Sequence, residues 1–305
     1  MISDVTTVAT RSSGVGQLGS ILATLWRRST GPFRPRVVSA VGGSDVGRVR
    51  DNNEDYLLMA DLARPARSVR GTDRTGAVAA LRPLLVVADG MGGAAGGEVA
   101  SAMAANIVCS QLENAARAGR LRSAWQWRKS LADAFDLANR RIRERGDADA
   151  ALRGMGTTAT AVALYRNSLY IAHVGDSRAY LLRAGTVRRL TRDHTWLQYV
   201  LDAGRPQDAG EDDPRRNALL RALGTQAEVT VDFGRVELRP HDTVILCTDG
   251  LWSVVEDDEL ARLVSSHADL GALCERLLSL ANDRGGRDNV TVLAARLEPR
   301  FARLS

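Results

Sequence analysis

The chain has 305 residues, 45% hydrophobic and 25% charged, the balance of an ordinary soluble globular protein of one large domain or two small ones. Its formal charge of +5 does not mark a nucleic-acid binder: Lys129 is the only lysine, and the arginines are spread among acidic residues without a dense basic block. No run reaches the roughly 18 apolar residues of a membrane span, and Cys109, Cys247 and Cys274, in apolar runs without CxxC spacing, argue against a disulfide frame or zinc site and for the cytoplasm.

Residues 1–36 are rich in Ser, Thr and Gly, then run into "RRSTGPFRPR", and are expected to form a flexible extension. A regular pattern begins at Val37. Strands are predicted at 56–60, 84–88, 157–164, 168–174, 178–183, 229–238, 243–248 and 289–297, each rich in Val, Leu or Thr and bounded by turn residues. Helices are predicted over 97–119 and up to Gly146, where Leu131, Phe135, Ala138 and Ile142 share a face, and over about 257–267 and 269–284. Asp257 or Asp258 is the expected cap of the third. Clustered helices and hairpin-like strand spacing imply an α+β fold: two antiparallel β-sheets packed face to face and flanked by helix pairs, a four-layer αββα sandwich. The folded domain is expected over 37–298, with a tail over 299–305. Two long connections stand out, an Arg-rich insert at 61–83 and the segment 192–222.

Acidic residues recur at the predicted strand ends. "VVADG" ends on Asp89-Gly90 and "ILCTDG" on Asp249-Gly250; Asp176 lies in the turn of "VGDSRAY"; Asp288 precedes the last strand; Glu54 and Asp55 precede the first. A single Asp-Gly is usually a turn. Several such carboxylates at converging strand ends would repel one another unless a proton or cation intervenes. An oxygen-only set suits Mg²⁺ or Mn²⁺ better than Zn²⁺.

The segments "VRDNNEDY", "VVADGMGGAAGGEVAS", "GMGTTATA", "VGDSRAYLLR", "LTRDHT", "PRRNALLRALG", "CTDGLW" and "GGRDNVTV" resemble, in order, the motifs of the bacterial type-2C metal-dependent Ser/Thr protein phosphatases, over about residues 40–297. The resemblance implies the same β-sandwich flanked by helices. It implies that Asp89 bridges two ions of Mn²⁺ or Mg²⁺, that the Gly90 carbonyl is a further ligand, and that Asp249 and Asp288 complete one ion's shell. Glu54 and Asp55 would act near the second ion, Asp176 at a third site or as a hydrogen-bonding group, and Arg50 on the substrate phosphate. A hydroxide bridging the ions would attack phosphorus in line, with no covalent intermediate on a cysteine.

Three departures bear on that reading. Met91 stands where many eukaryotic relatives carry a histidine, so the general acid is not named. Ala151 stands where many bacterial relatives carry an aspartate of a third metal site, with Asp147 and Asp149 out of register, so two ions are expected and not a third. The 61–83 insert replaces a short connection; its Arg64, Arg67, Arg70 and Arg74 suit an acidic partner or a merely solvated loop. Residues 192–222 match the family's flap, where Arg215 and Arg216 could touch a phosphopeptide or simply hold the flap. The implied partners are phosphorylated proteins and a cognate Ser/Thr kinase, for a monomer that binds no nucleic acid. A catalytically weak phosphoprotein-binding module and a two-metal phosphodiesterase are the competing readings.

Overall fold

The computed structural model describes residues 38–64, 68–72, 76–208, 210 and 213–297. The expected extension at 1–36 and tail at 299–305 lie outside these residues, as do Arg67 and Arg74 of the insert. In chain order come β1 (Val38–Asp45), β2 (Asp55–Asp61), β3 (Ser68–Gly71), β4 (Gly76–Ala80) and β5 (Pro83–Met91). Helices α1 (Gly93–Arg117) and α2 (Ala124–Ala148) follow, then β6 (Gly156–Thr157), β7 (Ala159–Tyr165), β8 (Ser168–Val174), β9 (Arg178–Arg183) and β10 (Thr186–Arg189). The remainder is α3 (Trp196–Asp202), β11 (Asp232–Glu237), β12 (Thr243–Cys247), α4 (Asp249–Trp252), α5 (Asp257–Ser266), α6 (Leu270–Asp283) and β13 (Val290–Leu297).

The strands form two sheets, β10-β9-β12-β13-β1-β4 and β11-β8-β7-β5-β2-β3, with the short β6 also pairing β5. Neighbouring strands are antiparallel throughout. Why the central strands read as unbroken apolar runs follows from the layers. Along β5, Leu84 and Val86 face α1 and α2, whereas Leu85 and Val87 face the other sheet. Along β13, Leu293 and Ala295 fill the space between sheets, whereas Val292 and Ala294 pack on α5 and α6. Each of these central strands is buried on both faces, so alternation of apolar with polar residues never develops along it. The expected four-layer sandwich is the fold observed.

Small side chains bring α1 close to its sheet: Ala100, Ala104, Ala105 and Val108 are fully buried. Ser123 starts α2 with a capping box, its hydroxyl accepting from the Gln126 N–H while the Gln126 carboxamide accepts from the Ser123 N–H. The N-cap of α5 is Glu256, so Asp257 and Asp258 lie in the first helical turn rather than at the cap. There their charge opposes the helix dipole favourably. The insert also differs from a solvated loop: it supplies β3 to the edge of one sheet and β4 to the edge of the other. Among the described residues, no helix is long and apolar enough to cross a membrane.

Candidate metal centre

Asp89 does not end a strand on a turn. β5 runs on through Gly90 to Met91, and the positive φ needed to leave the strand falls on Gly92, at 118°. Asp89 is fixed by its main chain: its N–H donates to Thr158 Oγ1 at 3.0 Å and its carbonyl accepts from the Thr158 N–H at 2.8 Å. Gly90 is glycine because of crowding. A Cβ there would lie 2.1 Å from the Gly97 carbonyl oxygen and 2.7 Å from that of Glu54.

Asp249 opens α4, and Gly250 does more than turn the chain. A Cβ on Gly250 would lie 2.0 Å from the Asn289 carbonyl oxygen. That close approach seats the start of α4 against the residues before β13, and so brings Asp249 beside Asp288. Asn289 ties the region together. Its Oδ1 accepts from the Glu54 N–H at 2.8 Å, and its Nδ2 donates to the carbonyls of Val46 and Asn52, each at 2.9 Å.

Asp55 opens β2 opposite Asp89 of β5 and is 1% exposed. Its Oδ2 accepts from the hydroxyls of Thr248 and Thr291, both at 2.7 Å, while its buried Oδ1 has no partner. Asp176 lies in the β8–β9 turn, 5% exposed, with its carbonyl held by the Trp252 indole N–H at 3.0 Å. Arg50, in the β1–β2 loop, donates to Asp288 Oδ2 at 2.7 Å.

The electrostatics show how the carboxylates converge. Burial first, then repulsion from Asp55, Asp249, Asp176 and Asp288, pushes the Asp89 carboxyl well above the usual range. Burial, opposed by the two threonine hydroxyls, and the charges of Asp249 and Asp288 push Asp55 to about 7. Asp176 rises to about 8 through burial and the charges of Asp249 and Asp193. Asp249 rises to about 6 through burial and Asp288, despite a hydrogen bond with Asp89. Glu54 is raised by burial, with Arg50 opposing.

Among the described residues, no group of three or more His, Cys, Asp or Glu is disposed around one point to hold a metal ion. The carboxylates turn instead to Arg50, to hydroxyls and to one another. Their unmet charge and the orphaned Asp55 oxygen nonetheless fit a hard divalent cation, since the set is all oxygen. Asp149, the nearest acid to Ala151, is engaged elsewhere: its side chain caps a short turn at the Ala151 N–H and pairs with Arg145.

Two expected flap contacts lie apart from this cluster. Arg215 pairs with Asp213 at 3.0 Å and stacks over Trp196, and Arg216 reaches the Gly210 carbonyl at 3.4 Å, so both bind within the flap. The flap is anchored by His194, whose N–H donates to the Gly175 carbonyl at 2.8 Å and whose Nδ1 accepts from the Gly175 N–H at 3.1 Å. The bidentate Arg178–Asp193 pair adds a second anchor, with Arg178 lying 3.7 Å over the Trp252 ring. Sequence reasoning missed Thr248, Thr291, Trp252 and Asn289. Their one signal was adjacency, each lying within three residues of Asp249 or Asp288.

A Protein phosphatase 2C family model matches residues 70–285. Serine/threonine phosphatase stp of Listeria welshimeri is 34% identical over 252 residues, covering 82% of this chain and 92% of its own. The Streptococcus agalactiae serine/threonine phosphatase structure superimposes with a TM-score of 0.75 at 28% identity, covering 86% of this chain and all of the other. The catalytic domain of the serine/threonine phosphatase PstP, solved with two manganese ions, gives a TM-score of 0.66 at 33% identity, with 86% and 100% coverage. The converging strand-end carboxylates, the αββα layers and these likenesses agree, and the chain belongs to the protein phosphatase 2C family of metal-dependent serine/threonine phosphatases.

Proposed function

We propose that this chain removes phosphate from phosphoserine and phosphothreonine of proteins at the Asp89–Asp249–Asp288 cluster, using two ions of Mn²⁺ or Mg²⁺. The observation that carries the proposal is the convergence of Asp55, Asp89, Asp176 and Asp249, buried carboxyl groups whose burial and mutual repulsion call for a proton or a cation among them, with Asp55 Oδ1 left without a partner. Asp89, with the Gly90 carbonyl as a further ligand, Asp249 and Asp288 would hold the ions together with Glu54 and Asp55. Bound divalent cations supply Lewis-acid neutralisation of phosphate oxygens and acidify water at neutral pH. Arg50 offers its planar guanidinium to two phosphate oxygens once it leaves Asp288, which orients the ester for in-line displacement. The cysteines take no part: burial pushes the thiols of Cys109 and Cys274 up to about 12, far from a reactive thiolate.

Asp149, committed to its cap and to Arg145, supports two ions rather than three, with Asp176 left as a hydrogen-bonding group. The enzyme acts in the cytoplasm, the compartment its free buried cysteines suit, as a monomer that opposes a Ser/Thr kinase. The test is phosphate release from a phosphothreonine peptide with Mn²⁺, by the parent and by Asp249→Asn. Release by the parent alone is expected. Release by neither overturns the proposal and favours a binding module, and equal release by both overturns it by removing Asp249 from the site.

A further inference from the structure

The grip on Asp55 crosses from one sheet to the other. Asp55 belongs to β2, whereas Thr291 lies in β13 and Thr248 follows β12, both in the opposite sheet. The order of protons along the chain of contacts can be worked out. A carboxylate only accepts, and a hydroxyl has one proton. Both threonine protons therefore point at Asp55 Oδ2. Thr291 Oγ1, 2.7 Å from Ser44 Oγ, must then accept from Ser44, and Ser44 accepts from Asn53 Nδ2 at 2.9 Å. Thr248 Oγ1 accepts from the Thr291 N–H at 3.0 Å. The relay runs one way, from Asn53 to Ser44 to Thr291, and both threonine hydroxyls end on Asp55 Oδ2.

A second observation concerns Thr248. It occupies the N-cap of α4, where a threonine hydroxyl ordinarily accepts from the helix's first N–H groups. Here the side chain makes no capping bond and is turned onto Asp55 instead. The result is an asymmetric carboxylate. Oδ2 is saturated by donors, while Oδ1 is buried, unpartnered and on the residue cross-strand from Asp89. Leaving a buried acceptor bare carries a penalty that a natural fold tolerates where a ligand completes it.

We infer that Thr248 and Thr291 are positioning residues that lock the Asp55 side chain from the opposite sheet and reserve its Oδ1 for the cation site. The inference rests on the cation reading proposed above. Neither threonine touches substrate, and each acts through the orientation of Asp55. Supporting hydrogen bonds to metal-binding side chains typically contribute about 10–100-fold in affinity.

The test uses the full chain with Thr291→Val, Thr248→Val, Thr291→Ser and Thr248→Ser, folding being checked by circular dichroism. Mn²⁺ binding is measured by titration calorimetry, beside kcat and KM for a phosphothreonine peptide at saturating Mn²⁺. The valine variants are expected to bind Mn²⁺ about 10-fold or more weakly, and the serine variants within about 3-fold of the parent, with KM for the peptide unmoved. Parent-like Mn²⁺ binding by folded valine variants overturns the inference alone. Failure of serine to restore affinity also overturns it, because packing rather than the hydroxyl would then be responsible. A parent that binds no Mn²⁺ overturns the cation reading and this inference with it. Should valine unfold the chain, Ser44→Ala decides the matter: a weaker Mn²⁺ affinity supports the relay, and unchanged affinity overturns it.

Discussion

Replacing Asp249 by Asn should abolish turnover and at the same time stabilise the metal-free protein. Burial and the neighbouring Asp288 hold the Asp249 carboxyl at about 6 in the folded chain, above the ordinary aspartate value of 3.8. The folded state thus binds more protons than the unfolded state between those values. Stability therefore falls as pH climbs from about 4 through 6, and the loss persists above. Taken at face value the elevation corresponds to about 3 kcal/mol at neutral pH. Asp249 keeps some contact with water, which screens part of it, so roughly 1–3 kcal/mol is expected. For a chain of this size that is a rise in Tm of about 2–6 °C. The assay is thermal or urea unfolding in EDTA of the parent and the variant, at pH 8 and again near pH 4. Asparagine should stabilise at pH 8, the advantage should vanish near pH 4, and Mn²⁺ should stabilise the parent far more than the variant. An asparagine variant no more stable than the parent at pH 8, or an advantage independent of pH, would refute the reasoning.

Further outcomes follow from the same structure. Arg50→Ala should lower kcat/KM by about 10–100-fold, the worth of a charged phosphate contact. It should shift stability by less than about 1 kcal/mol, since the Arg50 and Asp288 side chains are 53% and 37% exposed; steady-state kinetics and urea unfolding separate the two effects. Gly250→Ala forces a Cβ against the Asn289 carbonyl, and should cost about 1–3 kcal/mol and weaken Mn²⁺ binding, read by unfolding and calorimetry. Phe135→Ala, in the fully buried face of α2, should cost about 3–5 kcal/mol in urea unfolding while leaving Mn²⁺ affinity of the folded protein unchanged. Replacing Cys109 and Cys274 together by serine should leave the peptide phosphatase rate near that of the parent.

The parts legible in the sequence were those whose signal is local. β8 and β9 match their predicted spans to the residue, because each is a dense apolar run closed by turn residues. The acidic strand ends were legible for the same reason. β3 and β10 were not: "SVRG" and "TVRR" are short edge strands whose arginines conceal any alternation, and pairing with a neighbour alone defines them. The threonines gripping Asp55 were hidden differently. A threonine in or beside a strand is unremarkable by composition, and its role depends on a partner 193 or 236 residues away. Gly250 looked like a turn glycine because its true constraint, the Asn289 backbone, is likewise distant in sequence.

The Arg-rich insert has a mechanical consequence. β3 and β4 are separated by only a few residues, yet one hydrogen-bonds β2 and the other β1, on different sheets. The segment works as a clasp at one open side of the sandwich. Sliding one layer past the other would tear one of its two ladders, and the Asn53 carboxamide, which donates to the Thr72 carbonyl at 2.6 Å, fastens the clasp one residue from Glu54. Shear between the layers would also pull Asp55 away from the two hydroxyls that reach it from across the gap. A stretch that looks like decoration in the sequence therefore ties together the two sheets on which the carboxylates are mounted.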